Sequence, residues 1–134
     1  MKISLDTNVL VSGLLSSMGA PAEVLTLVAQ GVLQVCFDDR VVTEYEEVLL
    51  RPKFGFDASD VADLIAQIKG DGVRVTCSPL PTRLPDPDDE KFLEVAIAAE
   101  AFCLVTGNLK HFPAADRHDV SVLTPRELVD LLAP

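Results

Sequence analysis

Lys2-Ile3-Ser4-Leu5-Asp6-Thr7-Asn8-Val9-Leu10 is the stretch on which the fold turns. Residues Lys2 to Leu5 form a short apolar run of β character, an acid closes it, and a helical pattern runs on from Asn8 to Ser16. A strand handed over to a helix in this way opens an α/β unit. Asp6 then stands at the carboxyl end of a strand, which is where open parallel sheets bind their ligands. The lesser alternative is the N-cap of the helix that follows.

Outward from this stretch the alternation repeats. Gly19-Ala20-Pro21 breaks the chain, and Pro21 suits the first turn of a helix reaching about Gln30 and ended by Gly31. Leu33 to Phe37 alternates as a second strand, and Asp39 can cap a helix from Arg40 to Leu50, stopped by Pro52. Asp57-Ala58-Ser59-Asp60 opens a helix whose Val61, Leu64, Ile65 and Ile68 form one apolar stripe; Gly70-Asp71-Gly72 ends it, and Val73 to Cys77 is a third strand. Four prolines make Ser78 to Pro87 a loop. Asp88 to Ala101 then reads as a helix, Phe102 to Thr106 as a fourth strand and Ser121 to Leu123 as a fifth, and Thr124-Pro125-Arg126-Glu127 is a capping box opening a last helix to Leu132. Strands alternating with helices predict an α/β domain over residues 1–134, three layers deep, with a central, mostly parallel sheet.

Bulk properties narrow the function. The 134 residues suffice for a sizeable core, and 49% hydrophobic content with a mean hydropathy of +0.30 excludes a disordered chain. No apolar run approaches the roughly 20 residues that span a bilayer, and the start meets an acid too early for a signal peptide. The expectation is a soluble, cytoplasmic protein without a membrane partner. Cys36, Cys77 and Cys103 sit singly in β-like runs and read as small buried hydrophobes, and with only two histidines a Cys/His zinc site is not expected. A net charge of −10 argues against a protein that coats nucleic acid with a basic face. It leaves room for an enzyme that grips a short stretch of nucleic acid through a metal, or for a basic partner.

The acids carry the chemistry. In the helix from Arg40, Glu44 is three residues after Val41 and four before Val48, so it shares their face; in the helix from Asp88, Phe92, Leu93 and Ala96 lie three, four and seven residues beyond Asp89. Glu46, Glu47 and Glu90 point outward by the same count. Asp88 lies further from the apolar face than Asp89, and Asp89 also reads as a first-turn acid favoured by the helix dipole. Core-facing carboxylates repel one another and lose hydration, so they persist where a proton or cation compensates. Asp6, Glu44 and Asp89 brought to one crevice would make an all-oxygen site suited to Mg²⁺ or Mn²⁺.

Four blocks, Leu5-Asp6-Thr7-Asn8-Val9-Leu10, Thr43-Glu44-Tyr45-Glu46-Glu47-Val48-Leu49, Asp86-Pro87-Asp88-Asp89-Glu90-Lys91-Phe92-Leu93 and Leu104-Val105-Thr106-Gly107-Asn108, resemble in order and spacing the motif blocks of PIN domains. The likeness is strongest to the small VapC-like toxins of toxin–antitoxin pairs. It implies a divalent-metal endoribonuclease with Asp6, Glu44 and Asp89 as the metal-binding acids, an RNA substrate, a cognate antitoxin and a homodimer. Many members of that family carry an Asp where this chain has Asn108, and others an acid where it has His111. Asn108 is thus expected as a weaker, uncharged ligand, with Asp116 and Asp88 as reserve acids. Thr7, Asn8 and Thr106 are expected to hydrogen-bond the carboxylates, and Lys110 and Arg40 are the nearest cations in sequence for a phosphate, although a surface role suits each better. A surface or strand-end role is likewise preferred for His111 over general-base chemistry. Receiver and phosphatase domains also place acids at strand ends, but this chain lacks a lysine at the end of its last strand.

Overall fold

The computed structural model describes residues 1–134. Strand β1, Lys2–Leu5, leads into helices α1, Thr7–Leu15, and α2, Ala20–Ala29. Then come β2, Gln34–Phe37, α3, Asp39–Leu49, α4, Ala58–Asp71, and β3, Val73–Arg74. After the proline-rich loop follow α5, Glu90–Ala99, β4, Cys103–Val105, β5, Val122–Leu123, and α6, Pro125–Leu132. The five strands form one sheet in the order β3-β2-β1-β4-β5, every neighbouring pair parallel. The chain thus moves outward from β1 to β3 and returns to the other side of β1 at β4. The order reverses between β1 and β4, and the carboxyl end of that pair is the crevice where such sheets hold ligands.

Ile3, Ser4 and Leu5 in β1 and Cys103, Leu104 and Val105 in β4 are all fully buried. Successive strand side chains face opposite sides, so burial without a gap means that helices cover both faces. This is the three-layer α/β arrangement expected. Ser4, the fully buried polar residue of β1, donates from Oγ to the Phe92 carbonyl at 2.7 Å and so ties α5 to the sheet. Gly72 ends α4 where nothing larger fits: a Cβ there would stand 2.3 Å from the carbonyl oxygens of both Val35 and Ile68. No single helix is long and apolar enough to cross a membrane.

Local boundaries differ from the sequence reading in four places. The cap of α3 is Asp38, whose side chain accepts from the Val41 amide at 3.1 Å, so Asp39 is already inside the helix. Val42 joins Val41, Tyr45 and Leu49 on the buried face of α3, leaving Val48 half-buried. Strand β3 stops at Arg74, short of Cys77, because its only partner β2 ends at Phe37. The helix expected from Asp88 begins with a 3-10 turn, Pro87–Asp89, and becomes α-helical at Glu90; it ends at Ala99, with Glu100 in the left-handed region at φ 51°. That start decides where Asp89 points.

Candidate active site

Asp6 leaves β1 with an extended backbone and caps α1, its Oδ1 accepting from the Asn8 amide at 3.5 Å. The capping reading of this residue therefore holds, and the carboxylate is also buried, its Oδ2 accepting from Thr106 Oγ1 at 2.8 Å. Thr106 follows β4, so this bond fastens the carboxyl ends of the two strands that flank the crevice. Tyr45, fully buried on α3, donates from its hydroxyl to the Leu5 carbonyl at 2.5 Å and fixes the backbone just before Asp6. The Asn8 side chain accepts from the Gly107 amide at 3.4 Å, a further tie between the ends of β1 and β4.

Asp89 sits at the N-terminal boundary of α5 without capping it. Its carboxylate is buried instead, and Oδ2 accepts no hydrogen bond from any group. His111 Nδ1 is 3.1 Å from that oxygen, at ion-pair distance but off the direction of a hydrogen bond. Burial first, and the neighbouring charge of Asp6 second, push the Asp89 carboxyl up to about 6, with His111 pulling the other way. Burial likewise raises Asp6 above the usual aspartate value, opposed by its hydrogen bonds from Thr106 and Asn8 and reinforced by the charge of Glu44. Asp89 feels the charge of Asp6, and Asp6 that of Glu44, so the three carboxylates belong to one electrostatic site.

Glu44 completes the set but stands apart in one respect. One of its oxygens accepts from Thr7 Oγ1, and the other lies 2.7 Å from Lys91 Nζ. Lys91 is itself largely buried and donates to the Asp88 carbonyl. The cation that compensates Glu44 here is thus supplied by the chain. With Glu44 turned to Lys91 and Asp89 to His111, no three acidic, histidine or cysteine side chains stand close enough together to close around one ion. The acids meet at one end of the sheet without forming a finished cage.

The remaining expected residues fall as follows. Asn108 makes no hydrogen bond to the carboxylates: its side-chain nitrogen is 2.8 Å from His111 Nε2, and its amide donates to Thr106 Oγ1 at 3.0 Å. Asp88 is exposed, and Asp116, in a later 3-10 turn, takes part in none of the hydrogen bonds or ion pairs just described. Glu90, read as solvated, is half-buried, accepting from Arg83 and from the Leu84 amide at 2.8 Å to hold the proline-rich loop. Arg40 is committed on two sides, to Asp38 and to Glu94, each at 2.7 Å. Lys110 is exposed.

Lys91 and Glu94 are the participants that the sequence reading missed. Glu94 is buried on α5 and also receives the Leu80 amide at 3.1 Å, pinning the loop that delivers Asp86 to Asp89. Its signal was an acid enclosed by Phe92, Leu93, Val95 and Ala96. Beside these residues opens a groove of about 600 Å³ with no hydrophobic lining, bounded by Arg40, Thr43, Glu44, Asp88, Lys91 and their neighbours. It leads to Glu44 from the solvent side.

A family model described as the PIN domain matches residues 2–110. The match takes in Asp6, Glu44, Asp89 and Asn108 and stops one residue before His111. No curated protein matches the chain.

Proposed function

The chain belongs to the PIN-domain family, whose members are in general nucleases, and from that premise we propose that it is a divalent-metal-dependent endoribonuclease. The observation that carries the reading is the buried Asp89 Oδ2, an acceptor with no donor, beside a second buried carboxylate at Asp6. A carboxylate oxygen left in that state costs stability unless a cation completes it. The donors are all oxygen, which fits Mg²⁺ or Mn²⁺. Asp6, Asp89 and Glu44 would hold the ion, Glu44 after release from Lys91. When bound, such an ion supplies positive charge for the scissile phosphate and acidifies the attacking water.

The chain's own groups have definable parts in this proposal. Thr106 and Asn8 hold Asp6 in one orientation through its two oxygens, so the carboxylate needs no reorganisation on binding. Thr7 orients Glu44 in the same way. Lys91, once displaced from Glu44, is the cation in the groove best placed to receive a phosphate oxygen of RNA.

For biological role we propose the toxin of a toxin–antitoxin pair, acting as a homodimer and restrained by a cognate antitoxin. The sequence blocks support this, and the net charge of −10 suits a basic partner. A neighbouring reading frame for a small DNA-binding protein would favour this over an RNA-processing nuclease of the same chemistry. A second reading, a catalytically weak scaffold that binds RNA or protein, is favoured by one observation: Lys91 already balances Glu44.

Cleavage of labelled RNA by purified protein, with Mn²⁺ and with chelator, separates these readings. The proposal expects Mn²⁺-dependent internal cleavage that Asp6→Asn, Glu44→Gln and Asp89→Asn each reduce by at least about a hundredfold while the protein stays folded. Equal cleavage with chelator would refute it, and no cleavage at saturating Mn²⁺ would favour the scaffold.

A further inference from the structure

His111 lies just past the residues on which the family match rests, yet it touches the site from two directions. Its Nδ1 stands 3.1 Å from Asp89 Oδ2, and its Nε2 stands 2.8 Å from the Asn108 side-chain nitrogen. The first contact is close but is no hydrogen bond, since Asp89 Oδ2 has no donor. Asp89 Oδ2 thus keeps a lone pair for a third atom, and so does Nδ1 once the ring proton sits on Nε2. Two donors bound to one hard divalent ion at about 2.1 Å and at right angles stand about 3.0 Å apart. The His111–Asp89 spacing is that of adjacent donors on one ion.

The second contact supplies what a ligating imidazole needs. A histidine that binds metal through one nitrogen gives its other N–H to an acceptor, which fixes tautomer and ring orientation. Asn108 carries an acceptor and a donor at the same place, and turning its amide over exchanges them without moving the residue. Asn108 Oδ1 then accepts from His111 Nε2–H, and Nδ1 is left unprotonated beside Asp89. The ring is also anchored from its own turn: the His111 amide donates to the Asn108 carbonyl at 3.1 Å, and Phe112 next to it is fully buried.

We infer that His111 is a cation-binding residue of this site, its Nδ1 joining Asp89 Oδ2 on one ion while Asn108 positions the ring through Nε2. A nitrogen donor among oxygens favours Mn²⁺ over Mg²⁺, since imidazole suits transition metals and Mg²⁺ prefers oxygen. The inference rests on the metal-dependent reading proposed above and adds a selectivity to it. Asn108 becomes a positioning residue in place of a ligand.

The test is calorimetric titration of the purified chain with Mn²⁺ and with Mg²⁺, for wild type, His111→Ala and His111→Asp, joined to electron-spin-echo spectroscopy of bound Mn²⁺. Wild type should show nitrogen coupling to the ion. His111→Ala should lose the coupling and weaken Mn²⁺ binding by at least about tenfold, with a smaller change for Mg²⁺. His111→Asp should recover Mg²⁺ binding more than Mn²⁺ binding. The spectroscopy on wild type stands even if a variant fails to fold. Mn²⁺ that binds in an Asp6-dependent way without nitrogen coupling, and with an unchanged Mn²⁺/Mg²⁺ ratio in His111→Ala, would overturn the inference and leave the nuclease reading intact. No Mn²⁺ binding by wild type would overturn both.

Discussion

Thr106 Oγ1 donates to Asp6 Oδ2 at 2.8 Å across one hundred residues of sequence, joining the carboxyl ends of β1 and β4 at the place where the strand order reverses. The bond makes a buried carboxylate tolerable and at the same time fixes its direction. Around it the site is built from one residue per element: Asp6 after β1, Glu44 on α3, Asp89 before α5, Thr106 after β4. Of its acids, Glu44 is paired with Lys91, and Asp89 stands 3.1 Å from His111 without a hydrogen bond.

The pH dependence has a definite sign. Asp89 has its carboxyl raised to about 6 in the folded chain, with burial as the leading cause, against about 4 when unfolded. A raised acid contributes stability that is complete below its unfolded value and is lost as pH rises through its folded value. In metal-free protein, therefore, Asp89→Asn should gain thermal stability over wild type as pH climbs from about 4 to about 7. Melting curves of both forms across that range check it. A constant difference between them would show that Asp89 is not held in its raised state.

Lys91→Met should leave Glu44 half-buried and without its cation. In the absence of metal it should lower stability by about 1–3 kcal/mol, intermediate between exposed and buried pairs. Added Mn²⁺ should restore more stability to this variant than to wild type, because the ion no longer competes with an internal lysine. Melting curves with and without Mn²⁺ decide the matter, and identical Mn²⁺ shifts in the two proteins would mean that Lys91 and the ion do not share Glu44.

Much of this was legible in the sequence, for reasons that can be named. The run Ile3-Ser4-Leu5 before Asp6, the stripe containing Glu44 and the capping box at Thr124 are local patterns, and local patterns survive folding. What could not be read was partnership. Lys91 looked like any surface lysine in a helix, and only the approach of α3 to α5, marked by Tyr45 stacking on Phe92 with centroids 6.5 Å apart, brings it to Glu44. Glu90 faced outward by helix phase, yet the proline-rich loop folds over it and supplies donors. Asn108 was expected to reach the carboxylates, and His111, three residues on, takes its side chain instead.

Asn108→Asp measures that last difference. A carboxylate accepting from His111 Nε2–H should strengthen the ring as a donor and tighten Mn²⁺ several-fold, most visibly at low metal concentration. If the effect runs through the ring, it should vanish in a His111→Ala background. Titrations of the single and double variants distinguish the two routes: a gain that persists without His111 would make residue 108 a direct ligand after all.

The central claim is that Asp6, Glu44 and Asp89 close on a divalent ion, and that Lys91 takes its place at Glu44 in its absence. Crystals grown without metal, soaked in Mn²⁺ and measured for anomalous scattering test it most directly. The account predicts a peak touched by carboxylate oxygens of Asp6 and Asp89, with Glu44 swung from Lys91 toward it, and loss of the peak in Asp6→Asn. A Mn²⁺ peak elsewhere on the molecule, or none among these acids at saturating metal with the Lys91–Glu44 pair intact, would contradict it.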